Sequence, residues 1–150
     1  MLSPEDLDQL FPMGKGQIER TSDPDEDYNC IAWSVNDNRR VWWPLEKPNP
    51  FIYWPPGVPR EETVHAFLAM YKFMEFVPCE GDHREEGYDK IALYALEDKP
   101  THAARLWIED ADWSSKLGQE NDVSHKSLRA LEESDYGKVI QIMKRKRPTT

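Results

Sequence analysis

Between Val41 and Arg60 the chain reads VWWPLEKPNPFIYWPPGVPR. Six of the 12 prolines and three of the six tryptophans lie in this stretch. Proline fixes φ and removes a backbone donor, so no helix or continuous ladder strand is expected to run through it. Residues 41–60 therefore divide the chain, and regular structure is expected before and after them. Aromatic rings among the prolines predict an ordered loop. It is read either as a lid stapled to a core or as one wall of a cleft.

On the N-terminal side, residues 1–27 form a polar lead-in with Pro4, Pro12, Pro24 and the acidic run DPDED. One short helix is expected at SPEDLDQLF, with Ser3 as N-cap and Pro4 at the first helical position. In YNCIAWSVND, Asn29 can cap a second short helix carrying Ile31, Ala32, Trp33 and Val35. That apolar run is too short to exclude a strand by periodicity alone.

Beyond the loop, PREETVHAFLAMYKFMEFVPCE is the clearest helix. Val64, Phe67, Leu68, Tyr71 and Met74 recur at helical spacing, and Pro78 marks its end. After EGDHREEGYD the period changes to two. KIALYAL, THAARLWI, DWSSKLG and YGKVIQIMKR read as strands, with QENDVSHKSLRALEESD as a longer excursion between the last two. Short connections favour antiparallel pairing. The expected architecture is α+β: N-terminal helices followed by an antiparallel sheet of about four or five strands. A length of 150 residues suits one domain, 1–150.

Charge and cysteine usage narrow the function classes. The net charge is −9, and the one dense basic cluster is the KRKRP tail, so nucleic acid is not an expected partner. No apolar run approaches the roughly 20 residues of a membrane span, and MLSPEDLDQL has neither the basic nor the apolar region of a signal peptide. The expectation is a soluble protein made in the cytoplasm; a leaderless secretion route would leave no mark. Two cysteines make no disulfide framework. No C-x-x-C or H-x-x-x-H pair points to a metal, and no glycine-rich phosphate loop points to a nucleotide, so no metal and no cofactor is expected.

The residue that most raises the question of chemistry is Cys30. Directly after a helix cap, its thiolate would feel the helix dipole, and its own N–H would be free to help hold an oxyanion. An imidazole must come from elsewhere. His65 and His83 read as surface or local structural residues. His102 opens a strand after Pro100-Thr101, and His125 lies in the excursion. A third polar group usually orients the imidazole, and Ser114 or Ser115 on the next strand is placed to do so weakly, with His125 the stronger group further on. Cys79, after Pro78 at a helix end, reads as structural. Asn29, Trp33, Trp43 and Trp54 are the candidate substrate-binding residues beside Cys30.

At YNCIAWS, KIALYALEDKPTHAARLWIEDADWSSKLG and YGKVIQIMKR the chain resembles papain-like cysteine hydrolases of the NlpC/P60 and CHAP type. From Tyr28 to Arg145 it looks more closely like an uncharacterised bacterial domain family with YNCIAW, YWP, HAAR and W-S-K-L-G elements. The resemblance implies a papain-like fold in which Cys30 begins a helix and His102 begins a strand. It implies a Cys30–His102 dyad, with Ser115 or His125 as third member, attacking an amide or ester bond as peptidase, amidase or deamidase. The implied partner is a peptide or protein substrate, with an inhibitor or immunity protein if the chain is a bacterial toxin or effector. The reading from another class is a non-catalytic module that presents its aromatic loop to a protein partner.

Overall fold

The period-two segments form the centre of one sheet. A computed structural model describes residues 1–148. Among those residues, the strands are β1 (Ile18–Arg20), β2 (Val41–Trp42), β3 (Ile52–Tyr53), β4 (Val77–Cys79), β5 (Tyr88–Leu96), β6 (Lys99–Leu106), β7 (Trp113–Lys116), β8 (Asp122–His125) and β9 (Lys138–Lys146). The helices are α1 (Pro4–Leu10), α2 (Cys30–Ser34) and α3 (Val64–Phe73), with single 3₁₀ turns at Pro12–Gly14 and Arg129–Leu131. Seven strands make an antiparallel sheet in the order β1-β8-β7-β6-β5-β9-β4, while β2 and β3 form a separate parallel pair.

Each helix starts where its cap residue dictates. Ser3 Oγ accepts the Asp6 N–H while the Asp6 carboxylate accepts the Ser3 N–H, a complete capping box. Asn29 Oδ1 accepts the Ala32 N–H, and Thr63 Oγ1 accepts the Ala66 N–H. Each such cap contributes about 1 kcal/mol. α3 buries Ala66, Phe67, Met70 and Tyr71, and burial of a ring such as Phe67 contributes about 2–3 kcal/mol.

Strand alternation sorts the sheet into two cores. Ile91, Leu93, Ala103 and Met143 face one way and meet α2, α3, Trp42 and Trp54. Ala92, Tyr94, Ala104, Leu106, Trp113 and Val123 face the other way and meet Leu7, Phe11, Leu128 and Leu131. Alternation breaks once in the β5–β6 hairpin. Tyr94 pairs with His102 but Ala95 pairs with Pro100, so Thr101 is an extra residue in a bulge.

This architecture corrects the expected one. The fold is not papain-like, with N-terminal helices preceding a sheet of four or five strands. It is dominated by a seven-stranded sheet into which the supposed lead-in and the helix end both feed strands. β1 comes from the lead-in and lies against β8. β4 occupies the Val77–Cys79 segment assigned to the end of the long helix, and its Pro78 is tolerated because β4 is an edge strand. β8 lies within the supposed excursion; Asp122 and His125 hid it, being polar residues that are nonetheless buried. Even the proline-rich stretch holds the two-residue β2–β3 pairing. No helix among the described residues is long and apolar enough to cross a membrane.

Candidate functional site

Cys30 is the first residue of α2, as the Asn29 cap predicts. The residue is partly exposed, but its thiol is desolvated, and that burial pushes its pKa up to about 11. The backbone N–H groups of Ala103, Ile31 and Cys30 itself pull the other way without reversing the shift. A five-residue helix has too few aligned peptide dipoles to add much. At neutral pH Cys30 is therefore a thiol rather than a thiolate.

His102 lies on the other side of the sheet's alternation. Cys30 packs with the core that contains Ala103, whereas the His102 ring stands among residues of the opposite core. Tyr136 stacks on it at 4.1 Å with planes 7° apart, and Tyr94 meets it edge-on at 5.4 Å. The ring is 1% exposed, and neither nitrogen has a hydrogen-bond partner among the described residues, Cys30 included. Burial, and then the nearby His125, drive its pKa well below the ordinary value, so it is neutral.

His125 and Ser115 do meet. His125 Nε2 lies 2.8 Å from Ser115 Oγ, and Nδ1 lies 2.9 Å from the Ser127 carbonyl. A carbonyl only accepts, so Nδ1 carries the proton and Nε2 accepts from the Ser115 hydroxyl. These are the atoms of a nucleophile–base pair, oriented by a backbone carbonyl instead of a carboxylate. Both residues are buried, however, and burial lowers the His125 pKa to about 4. Of the four candidate catalytic residues, the structure joins Ser115 to His125, places His102 nearby, and leaves Cys30 in the other core.

The four candidate substrate-binding residues are largely committed to the scaffold. Asn29 is held at both ends of its amide: Oδ1 accepts from the Ala32 and Trp42 N–H groups, and Nδ2 donates to the Trp42 carbonyl. Trp33 Nε1 donates to Ser114 Oγ at 3.1 Å, and the Arg105 guanidinium lies 3.7 Å over its ring. Trp43 packs edge-on against Phe67 at 5.3 Å. Trp54 meets Phe67 at 5.2 Å and donates to the Pro59 carbonyl.

With its rings inward, the loop puts forward a residue the sequence reading passed over. Phe51, the residue directly before β3, is 82% exposed. Its N–H donates to Asn49 Oδ1 at 2.8 Å, and the Ile52 N–H donates to the Asn49 carbonyl. The Asn49-Pro50-Phe51 run is the signal of this turn, in which an Asn side chain bonds the backbone two residues on.

A family model for a domain of unknown function, DUF7689, matches residues 19–144. The chain belongs to this family. No curated protein and no solved structure matches it. The family is the uncharacterised kind expected from the YNCIAW, HAAR and WSSKLG elements, and the match covers all the strands of the sheet except the first residue of β1 and the end of β9. The finer resemblance to NlpC/P60 and CHAP hydrolases finds no support in these comparisons. No group of three or more potential metal-ligating side chains comes together among the described residues.

Proposed function

We propose that this domain is a protein-binding module whose contact element is the loop between β2 and β3, with Phe51 at its end, directly before β3. The carrying observation is the contrast between that loop and its flanks. Trp42 and Trp54 are buried, yet Phe51 is 82% exposed. An aromatic ring held in water on an anchored loop suits a partner with an apolar pocket, because little ordering entropy remains to be lost on binding. The Arg40 guanidinium lies 3.8 Å over the Tyr53 ring beside it, offering a charged rim. The test is a photo-reactive residue at position 51, with a second at exposed Leu96 as control. A discrete adduct at 51 and none at 96 supports this reading. Equal or diffuse labelling at both overturns it.

A second reading, a cysteine hydrolase acting on an amide or ester bond, is favoured by one observation. The N–H groups of Ala103, Ile31 and Cys30 all act on the same sulfur, and such donors would also serve an oxyanion. Its test is the pH dependence of iodoacetamide alkylation in a Cys79→Ala background. A thiol pKa well below the free value of about 8.5, lost in His102→Ala, would establish the dyad. Slow alkylation indifferent to His102 removes it.

A further inference from the structure

The exposed Phe51 ring has a counterpart on the same chain. A cavity of about 210 Å³ opens between α1 and the turn before β9, with apolar walls from Leu2, Leu10, Phe11, Leu117 and Tyr136. An apolar cavity of roughly 150 Å³ is enough to hold benzene, so this one admits a phenyl ring. The two segments that frame it, SPEDLDQLF and LEESDY, hold six acidic residues and no basic one. Asp135 is exposed at its rim, while Glu120, the other carboxylate there, is held by the Met1 ammonium 3.4 Å away. The Phe51 loop has the opposite sign. Residues 38–53 carry Arg39, Arg40 and Lys47 against a single acidic residue, Glu46, and all four are exposed. Arg40 is held in place: its Nε donates to Asp37 at 2.8 Å, and its guanidinium lies 3.8 Å over the Tyr53 ring. Both terminal nitrogens are left to meet a carboxylate.

We propose that the partner of the Phe51 loop is a second copy of this chain, whose cavity takes the Phe51 ring while its Asp135 pairs with Arg40. The inference rests on the reading of that loop as a contact element. Charge selects the orientation: two copies of net charge −9 repel, and the approach that brings the basic loop to the acidic frame is the one favoured. A ring in a pocket beside an arginine is also the commonest kind of binding anchor. The two surfaces lie on opposite sides of the sheet. Trp42 and Trp54, which flank the loop, pack in one core, and Phe11 and Tyr136 of the cavity wall pack in the other. One chain therefore does not fill its own cavity. The contact is head-to-tail, and gives a ring if the rotation closes and an open chain if it does not.

The experiment is sedimentation equilibrium of the full chain from about 10 μM to about 1 mM, a range that brackets the Kd on the order of 100 μM expected when one ring anchors a small interface. Phe51→Ala removes the ring and Leu10→Trp fills the cavity, and each should weaken association at least about tenfold. Phe51 is 82% and Leu10 46% exposed, so both substitutions leave the core alone. Arg40→Glu and Asp135→Arg should each weaken it too. An equimolar mixture of those two variants should restore it, because every loop then meets a cavity of opposite sign. Stronger association of Asp135→Arg alone would mark a general charge effect and overturn the pairing. So would a chain still monomeric at about 1 mM, or association indifferent to Phe51→Ala. A photo-reactive residue at position 51 separates this failure from that of the loop itself. A discrete adduct with a different protein, formed by a monomeric chain, keeps the loop as contact element and overturns self-pairing; no discrete adduct at 51 overturns both.

Discussion

Asp89 is fully buried, on the edge of a cluster that ties β5 to β9. Its Oδ1 accepts the Ile108 N–H at 3.1 Å and Arg147 Nη2 at 2.6 Å. Its Oδ2 accepts Arg147 Nε at 3.1 Å and Arg145 Nη2 at 3.3 Å. Asp89→Ala removes four accepted bonds and leaves two guanidinium groups facing each other. Breaking a buried pair from one side costs about 3–5 kcal/mol. The arginine side chains are 20% and 32% exposed, and Glu109 also holds Arg147, so water and that second carboxylate recover part of the loss. About 3 kcal/mol is the expected cost, a large share of the 5–15 kcal/mol typical of a domain. Urea unfolding followed by tryptophan fluorescence is the assay. With a slope of about 2 kcal/mol per molar urea, the midpoint should fall by about 1.5 M. Glu109→Gln, at an exposed partner of the same arginine, should shift it by less than about 0.5 M. If Asp89→Ala loses less than about 1 kcal/mol, the cluster is not the clamp described.

Acid should destabilise the fold through its histidines. Burial lowers the pKa of both His102 and His125, so the unfolded chain binds protons that the folded chain refuses. Stability is then complete above the unfolded histidine value of about 6.5 and falls as pH drops from there towards about 4, where folded His125 titrates. Urea midpoints at pH 7 and pH 5 should show this fall, and His125→Asn should make it shallower; a midpoint unchanged over that range would refute the burial argument. Gly137 has φ +76°, and a Cβ there would sit 2.2 Å from the Ala95 carbonyl oxygen. Gly137→Ala should cost more than about 2 kcal/mol by the same assay, whereas Gly16→Ala, with positive φ but open space, should cost only about 1 kcal/mol.

What could be read from residue order follows from which physical rules act locally. α3, β5, β6, β7 and β9 were legible because each carries its own periodicity, and the caps Ser3 and Asn29 announce themselves by chemistry. β8 was not, because its polar residues find partners far along the chain: Asp122 accepts from the Tyr28 hydroxyl at 2.7 Å. The placement of Cys30 at a helix start was legible; the partner was not. Which face His102 takes depends on strand parity around Thr101, and a bulge cannot be counted from sequence alone. The Ser115–His125 contact spans adjacent strands β7 and β8, so it needed β8 to be recognised first. The arginine cluster around Asp89 draws on residues from β5 to beyond β9, a separation no local pattern reveals.

The strand order has a consequence for synthesis. β9 lies between β5 and β4, although both of its neighbours precede it by tens of residues. While residues 138–146 are still inside the ribosome, β4 has no ladder to join, and β5 shows a bare edge carrying Ile91 and Leu93. The nascent chain is then a template for strand pairing with its neighbours, and closure comes only when the last strand slots into the gap. Vulnerability to premature pairing is therefore concentrated in the interval before β9 emerges, and a polysome crowded with such half-sheets is where a chaperone that masks strand edges would act.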